Sequence, residues 1–266
     1  MLTRNMYHDT YSHVACISGG YRWCMEWILS VASLLTATLS GVFGMAGGLL
    51  LFGVYSALLP VASAVVLHSS TQLLSNLGRV VVQWRWVRLR LVGWFVLGAL
   101  PVYALWTGWG PRVEPSTLFL LLGGSVVASF LVPRRPVMDA TRPVGSVLAG
   151  TLTTAAQLTG GVGGPLMDLF WVDVDLDRRA VVATKALTQA VAHVLRVAAW
   201  APLVVGIDVS GPGLGGVAVA TILGTLLGSA ILEHLGDHNF RLITRYIVGV
   251  LGLGYLFRGL LLATDY

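Results

Sequence analysis

The chain has 266 residues, of which 56% are hydrophobic and only 11% charged, with a mean hydropathy of +0.78. Soluble domains carry about 25% charged residues, so a chain this poor in them lacks the polar surface to cover an aqueous fold. The net charge of +5 arises from 16 Arg and a single Lys, set mostly in short loops between apolar runs; this is the topology signal of a membrane protein and not the basic face of a nucleic-acid-binding one.

Residues 1–22 are polar, lack a signal-peptide apolar core and read as a short extramembrane leader. The two cysteines, Cys16 and Cys24, lie near the N-terminus without metal-ligand spacing. No Asp, Glu, Lys or Arg then occurs from Trp27 to Gly78, from Leu91 to Pro111, from Pro143 to Met167 or from Val209 to Leu232. A spanning helix needs about 20 mostly apolar residues. The runs show no period-two alternation, which favours helices over a barrel. In chain order they predict an apolar helix over Trp27–Phe43, a Gly-rich break at Gly44–Gly48, and a short piece over Leu49–Leu59. A long helix over Val61–Trp84 follows, then spans over Leu91–Trp109 and Ser116–Val132. The second half repeats the order: Val144–Thr159, a break at Gly160–Pro165, Leu166–Val172, Arg179–Val205, Gly213–Leu232 and Leu242–Leu262.

The halves are in register. GMAGG at Gly44 and GVGGP at Gly161 differ by 161 − 44 = 117 positions, and the same offset carries Thr71-Gln72 onto Thr188-Gln189 and Arg79 onto Arg196. Eight of 36 positions are identical without a gap between Gly44–Arg79 and Gly161–Arg196. The Thr-Gln pair weighs most, because the protein has only four Gln. Internal symmetry of this kind marks transporter folds. The repeats are assigned to residues 23–142 and 143–266. The short pieces, at ~1.5 Å per residue, cannot cross a ~30 Å core, so each repeat reads as a Gly-broken hairpin plus three full spans. Three crossings invert the second repeat. Arg85, Arg88 and Arg90, then Arg134, Arg135 and Arg142, then Arg241 and Arg245 all fall on one side in that arrangement, which the positive-inside rule makes cytoplasmic. The fold class is an all-α polytopic membrane bundle of two inverted repeats.

A Gly-rich break inside a membrane is costly unless it lines a cavity or is covered by protein. Each break starts a half-helix whose free N–H groups and positive dipole end attract an anion. Gly44, Gly47 and Gly48 of the first break and Gly161, Gly163 and Gly164 of the second are therefore candidate binding positions, with Pro165 suited to a first helical turn. Close helix packing is the plainer alternative for glycines. On the long helices Thr71, Gln72 and Asn76, and Thr188, Gln189 and His193, lie on polar faces and offer hydrogen bonds to an anion, although bonding between neighbouring helices is ordinary for such groups. Ionisable residues within spans are rare and usually functional. His68, Arg79, Asp168, Lys185 and Arg196 are candidates for charge or proton coupling, and His193 and Asp168 are the proton carriers the residue types suggest. Arg79 and Arg196 have snorkelling to a membrane face as their structural alternative. Asp168 has pairing with Lys185, the only lysine. Asp177 is placed as an N-cap.

No P-loop, HExxH or GxSxG segment occurs, and no His/Cys cluster suggests a metal. An enzyme, a metal and a cofactor are not expected. The segment Gly41–Gly48 with Pro60, the polar helix from Val61 to Arg79, and Thr159–Pro165 followed by Ala183-Thr184 resemble the sulfite exporter TauE/SafE family, small bacterial transporters with two related halves. Met45, Ala46 and Pro165 depart from the family's Gly-rich pattern. The resemblance covers roughly Trp27 to Leu262 and implies a secondary transporter in the plasma membrane of a prokaryote. Its implied partners are lipid, a small anion such as sulfite or a sulfonate, and a coupling ion, H+ or Na+. A channel, a membrane enzyme and an accessory subunit are the alternatives.

Overall fold

The computed structural model describes residues 18–43, 46–109, 114–131, 138–159, 163–171, 174–204, 209–232 and 237–264. Among them there are ten α-helices, two short 3-10 turns (Trp84–Trp86 and Ala201–Leu203) and no strand. The helices are α1 Ser18–Phe43, α2 Ala46–Leu58, α3 Val61–Gln83, α4 Leu89–Trp109, α5 Pro115–Leu131, α6 Pro143–Thr159, α7 Gly164–Trp171, α8 Arg178–Trp200, α9 Gly211–Leu232 and α10 Asp237–Thr264. Exposed Leu, Val, Ile, Phe and Trp side chains cover the outside of the bundle, the surface expected of a protein solvated by lipid. The protein is a helical membrane bundle.

Local sequence explains the element ends. Pro60 disfavours helical geometry at Leu59, so α2 stops at Leu58 and α3 starts afresh at Val61. Asp177 caps α8, its carboxylate accepting the Arg179 N–H at 2.8 Å. α1 begins well before the apolar run at Trp27. Its first turns carry Arg22 and the buried Glu26, whose carboxylate accepts the Ser210 N–H at 2.8 Å just ahead of α9. The long helices α3 and α8 have 23 residues each, enough to cross. Only α1, α4 and α9, however, are both long and apolar enough by composition among the described residues. The polar faces of α3 and α8 turn inward, which lowers their hydropathy without exposing those groups to lipid.

The packing relates the halves. α3 and α8 run antiparallel along each other: Val61 and Ala62 pack in the cluster that holds Trp200, while at the other end Arg179 stacks over Trp86 at 5.5 Å. α5 and α10 are also antiparallel, with Gly123 against Gly252 and Leu256, and Gly259 against Leu120. A helix antiparallel to its own repeat mate is what inversion requires. The remaining pairs exchange partners between halves. α1 lies parallel to α9 through Glu26–Gly213 and Leu34–Gly224, and α4 lies parallel to α6 through Leu91–Ser146 and Gly98–Val147. Each hairpin folds back on itself. A β-carbon on Gly47 would run into the Thr36 carbonyl and Ser40, and Tyr55 Oη meets Ser33 Oγ at 2.7 Å, so α2 returns along α1. With 13 and 8 residues, α2 and α7 are about 20 and 12 Å long, which is too short to span.

Candidate functional site

Both helix restarts and both long helices face one cavity of about 520 Å³. Gln72 is the central residue of α3, Gln189 is the central residue of α8, and both line it. So do Gln83 and Gln157, which brings all four glutamines of the protein to one space. Of the other residues singled out from sequence, Gly48, Gly163, Gly164, His68, Asn76, Arg79, Lys185 and His193 also line it. Gly48 leaves room for an amide: a β-carbon there would lie 3.0 Å from Gln72 Nε2. Arg79 reaches Asn76 Oδ1 at 3.4 Å and Ser75 Oγ at 3.5 Å.

Several of those residues serve elsewhere. Gly47 packs against α1. Thr71 bonds back to the Leu67 carbonyl at 2.8 Å and meets Tyr55 Oη at 3.3 Å. Thr188 donates to the Lys185 carbonyl at 2.8 Å and touches Met167 Sδ. Neither threonine lines the cavity. Asp168 forms an ion pair with Lys185 across α7 and α8. Arg196 is fully buried, at 0% exposure, so it does not snorkel. Its guanidinium lies 5.5 Å over the Phe52 ring and 3.4 Å from His68 Nδ1. Gly44 and Gly161 lie outside the described residues, as does most of the leader over 1–22.

Sequence reasoning passed over Gln157, Ser40, Thr153, Thr225 and Ser229, all on the cavity wall. Gln157 closes the second hairpin. Its Oε1 accepts the Gly163 N–H at 2.6 Å, which leaves Nε2 as donor to His193 Nδ1 at 3.0 Å. The network thereby assigns His193 its proton on Nε2. The same logic fixes His68. A guanidinium only donates, so Nδ1 accepts from Arg196 and Nε2–H donates to the Gly48 carbonyl at 3.0 Å. The two rings sit 6.0 Å apart and tie each hairpin restart to a long helix. The signal for Gln157 was available: it is one of four glutamines, and at the repeat offset of 157 − 40 = 117 it falls on Ser40, which also lines the cavity.

The cavity is asymmetric along the bundle. From the histidine layer it runs past Gln72 and Gln189 to Arg79, Gln83, Val82 and the exposed Arg178. That is the end where α3 meets Arg85, Arg88 and Arg90, all exposed. Beyond the histidines the other end is filled by Phe52, Val65, Phe119, Trp200 and Tyr255, all buried in one cluster. Tyr255 donates its hydroxyl to the Leu49 carbonyl, clamping α10 onto the start of α2. No group of three His, Cys, Asp or Glu suited to a metal occurs among the described residues.

Fold and site together define a multi-pass helical membrane protein built around a central cavity that all four glutamines line. The Sulfite exporter TauE/SafE family model matches residues 29–255 of the 266, so the chain belongs to that family, a family of membrane transporters. No curated protein and no solved structure matches it.

Proposed function

We propose that this protein is a secondary transporter that carries a small anion, sulfite, a sulfonate or a related organic anion, across the plasma membrane of a prokaryote by alternating access, driven by an ion gradient. In this reading residues 23–142 and 143–266 are the two units that move against each other, and 1–22 stays outside the membrane. The observation that carries it is the convergence of all four glutamines and both half-helix restarts on one cavity. Amide donors and the α2 and α7 N-termini favour negative charge without a large desolvation cost, and Arg79 adds positive potential. The packed aromatic end argues for a carrier over an open channel. With the Arg-rich loops in the cytoplasm, the cavity faces the cytoplasm.

Gln72→Ala combined with Gln189→Ala removes the central donor pair. Reconstituted in liposomes and still monodisperse, the double variant is expected to lose anion flux by at least about tenfold, the equivalent of one to two hydrogen bonds to a charged group. Sulfite, thiosulfate, taurine, sulfoacetate and lactate are the anions to compare. Unchanged flux for every anion the wild type carries would remove the glutamine pair from the site.

A further inference from the structure

We infer that the Asp168–Lys185 ion pair is the coupling device of this cavity: the incoming anion takes Lys185 from Asp168, and Asp168 takes up a proton in exchange. The inference rests on the anion-transport reading above and names its coupling ion.

Lys185 lines the cavity one turn from the central Gln189, and Asp168 stands behind it on the half-helix that begins at Gly164. The side chains are 23% and 26% exposed, so the pair is shielded yet reachable. Among the described residues, Asp168 is also the acid that the helical core offers. Glu26 is engaged with Ser210 at the start of α9, and Glu114, Asp139, Asp175, Asp177 and Asp237 lie at helix ends or in connecting segments. The histidines are poorly placed to take a proton. His68 Nδ1 faces the Arg196 guanidinium and His193 Nδ1 faces the Gln157 amide donor, so protonating either ring sets donor against donor.

Charge balance supplies the mechanism. Empty, the pair is Lys–NH3+ with Asp–COO−, net zero. Loaded with a monoanion alone it is net −1 in a shielded site, which is costly. If Asp168 binds one H+ to become Asp–COOH, Lys185 neutralises the anion and the net charge returns to zero. One proton moves with each monoanion, and no other reactant is needed. Lys185 pairs directly with Asp168, and the other titratable groups stand around the cavity that Lys185 lines. α8 brings Lys185, Arg178 and His193, and Arg79 and His68 of α3 lie across the cavity. Asp139 and Arg142, paired with each other, lie next to Ala140, whose N–H bonds the Phe170 carbonyl near the end of α7. α5 and α6 carry no titratable residue.

The test uses full-length protein in liposomes, with labelled sulfite and with methanesulfonate, a monoanion that holds no proton near neutral pH. Two modes are read: accumulation driven by a pH gradient, and anion-for-anion counterflow at equal pH. Wild type is expected to show both. Asp168→Asn, fixed neutral, is expected to keep counterflow within about threefold while losing at least about tenfold of gradient-driven accumulation, and Asp168→Glu is expected to keep both modes. The inference is overturned if Asp168→Asn still accumulates anion on the pH gradient. It is overturned equally if folded Asp168→Asn and Asp168→Glu lose both modes together, or if a Na+ gradient at equal pH drives wild-type accumulation instead. A wild type that passes neither these probes nor the wider panel overturns the transport reading itself, which distinguishes the two failures.

Discussion

At the scale of single residues, the cavity wall is held in shape by side chains that spend their own hydrogen bonds on backbone. Gln157 is the clearest case, because one amide satisfies the Gly163 N–H and the His193 ring together. Gln157→Ala leaves both groups buried without a partner, each at about 1–3 kcal/mol. It is expected to lower the unfolding temperature in detergent and weaken anion binding at the second hairpin. Gln157→Glu can still accept from Gly163 but repels an anion, so its binding loss should exceed its stability loss; thermal unfolding with and without sulfite separates the two. The central glutamines were legible in the sequence because the repeat offset paired them. Gln157 was less so, because its repeat mate Ser40 is a different residue type and the offset gives no identity there. Thr71 and Thr188 share that offset too, yet hydroxyls in membrane helices commonly bond back to the preceding turn, and these two do.

At the scale of helices, the crossings depend on glycine where backbones touch. A β-carbon on Gly98 would meet the Val147 carbonyl, and one on Gly150 would meet the Phe95 carbonyl, both in the α4–α6 pair. Gly224 stands in the same relation to Leu34 in the α1–α9 pair. Gly98→Ala, Gly150→Ala and Gly224→Ala should each destabilise the protein by about 1–3 kcal/mol through overpacking, read as a fall in thermal unfolding temperature. Gly93→Ala and Gly215→Ala, whose new methyl groups meet nothing within 4 Å, serve as controls with little change. Helix order and the two short returns follow from apolar run length and glycine breaks, and both were legible. The early start of α1 was not, because apolarity reports immersion in lipid and a helix continues through Arg22 and Glu26 once their charges find partners. Nor does the second half-helix advertise its partner. α7 packs beside Gln157 and Lys185, two contacts that join residues from different helices and have no local signature.

At the scale of the whole molecule, inversion sends equivalent residues to opposite ends. Arg79 and Arg196 are repeat mates, yet Arg79 lines the cavity while Arg196 is sealed behind Phe52 and His68. The same split separates Val182, on the cavity wall, from its mate Val65 at 182 − 65 = 117, which is buried in the aromatic plug. Under the proposed alternating access, the two halves exchange these roles in a second state. In a background without Cys16 and Cys24, Val182→Cys should therefore react with a membrane-impermeant maleimide added from the Arg85 side and be protected by bound anion. Val65→Cys should stay unreactive at rest and become reactive from the opposite side only while anion is turning over. Each rate is measured in vesicles of known orientation. Reaction of Val65→Cys from the Arg85 side would mean that the plug opens inward and that the halves do not exchange roles. Reaction of both positions from both sides at rest would mean a continuous pore, returning the protein to the channel class that the packed cluster around Phe119 and Tyr255 argues against.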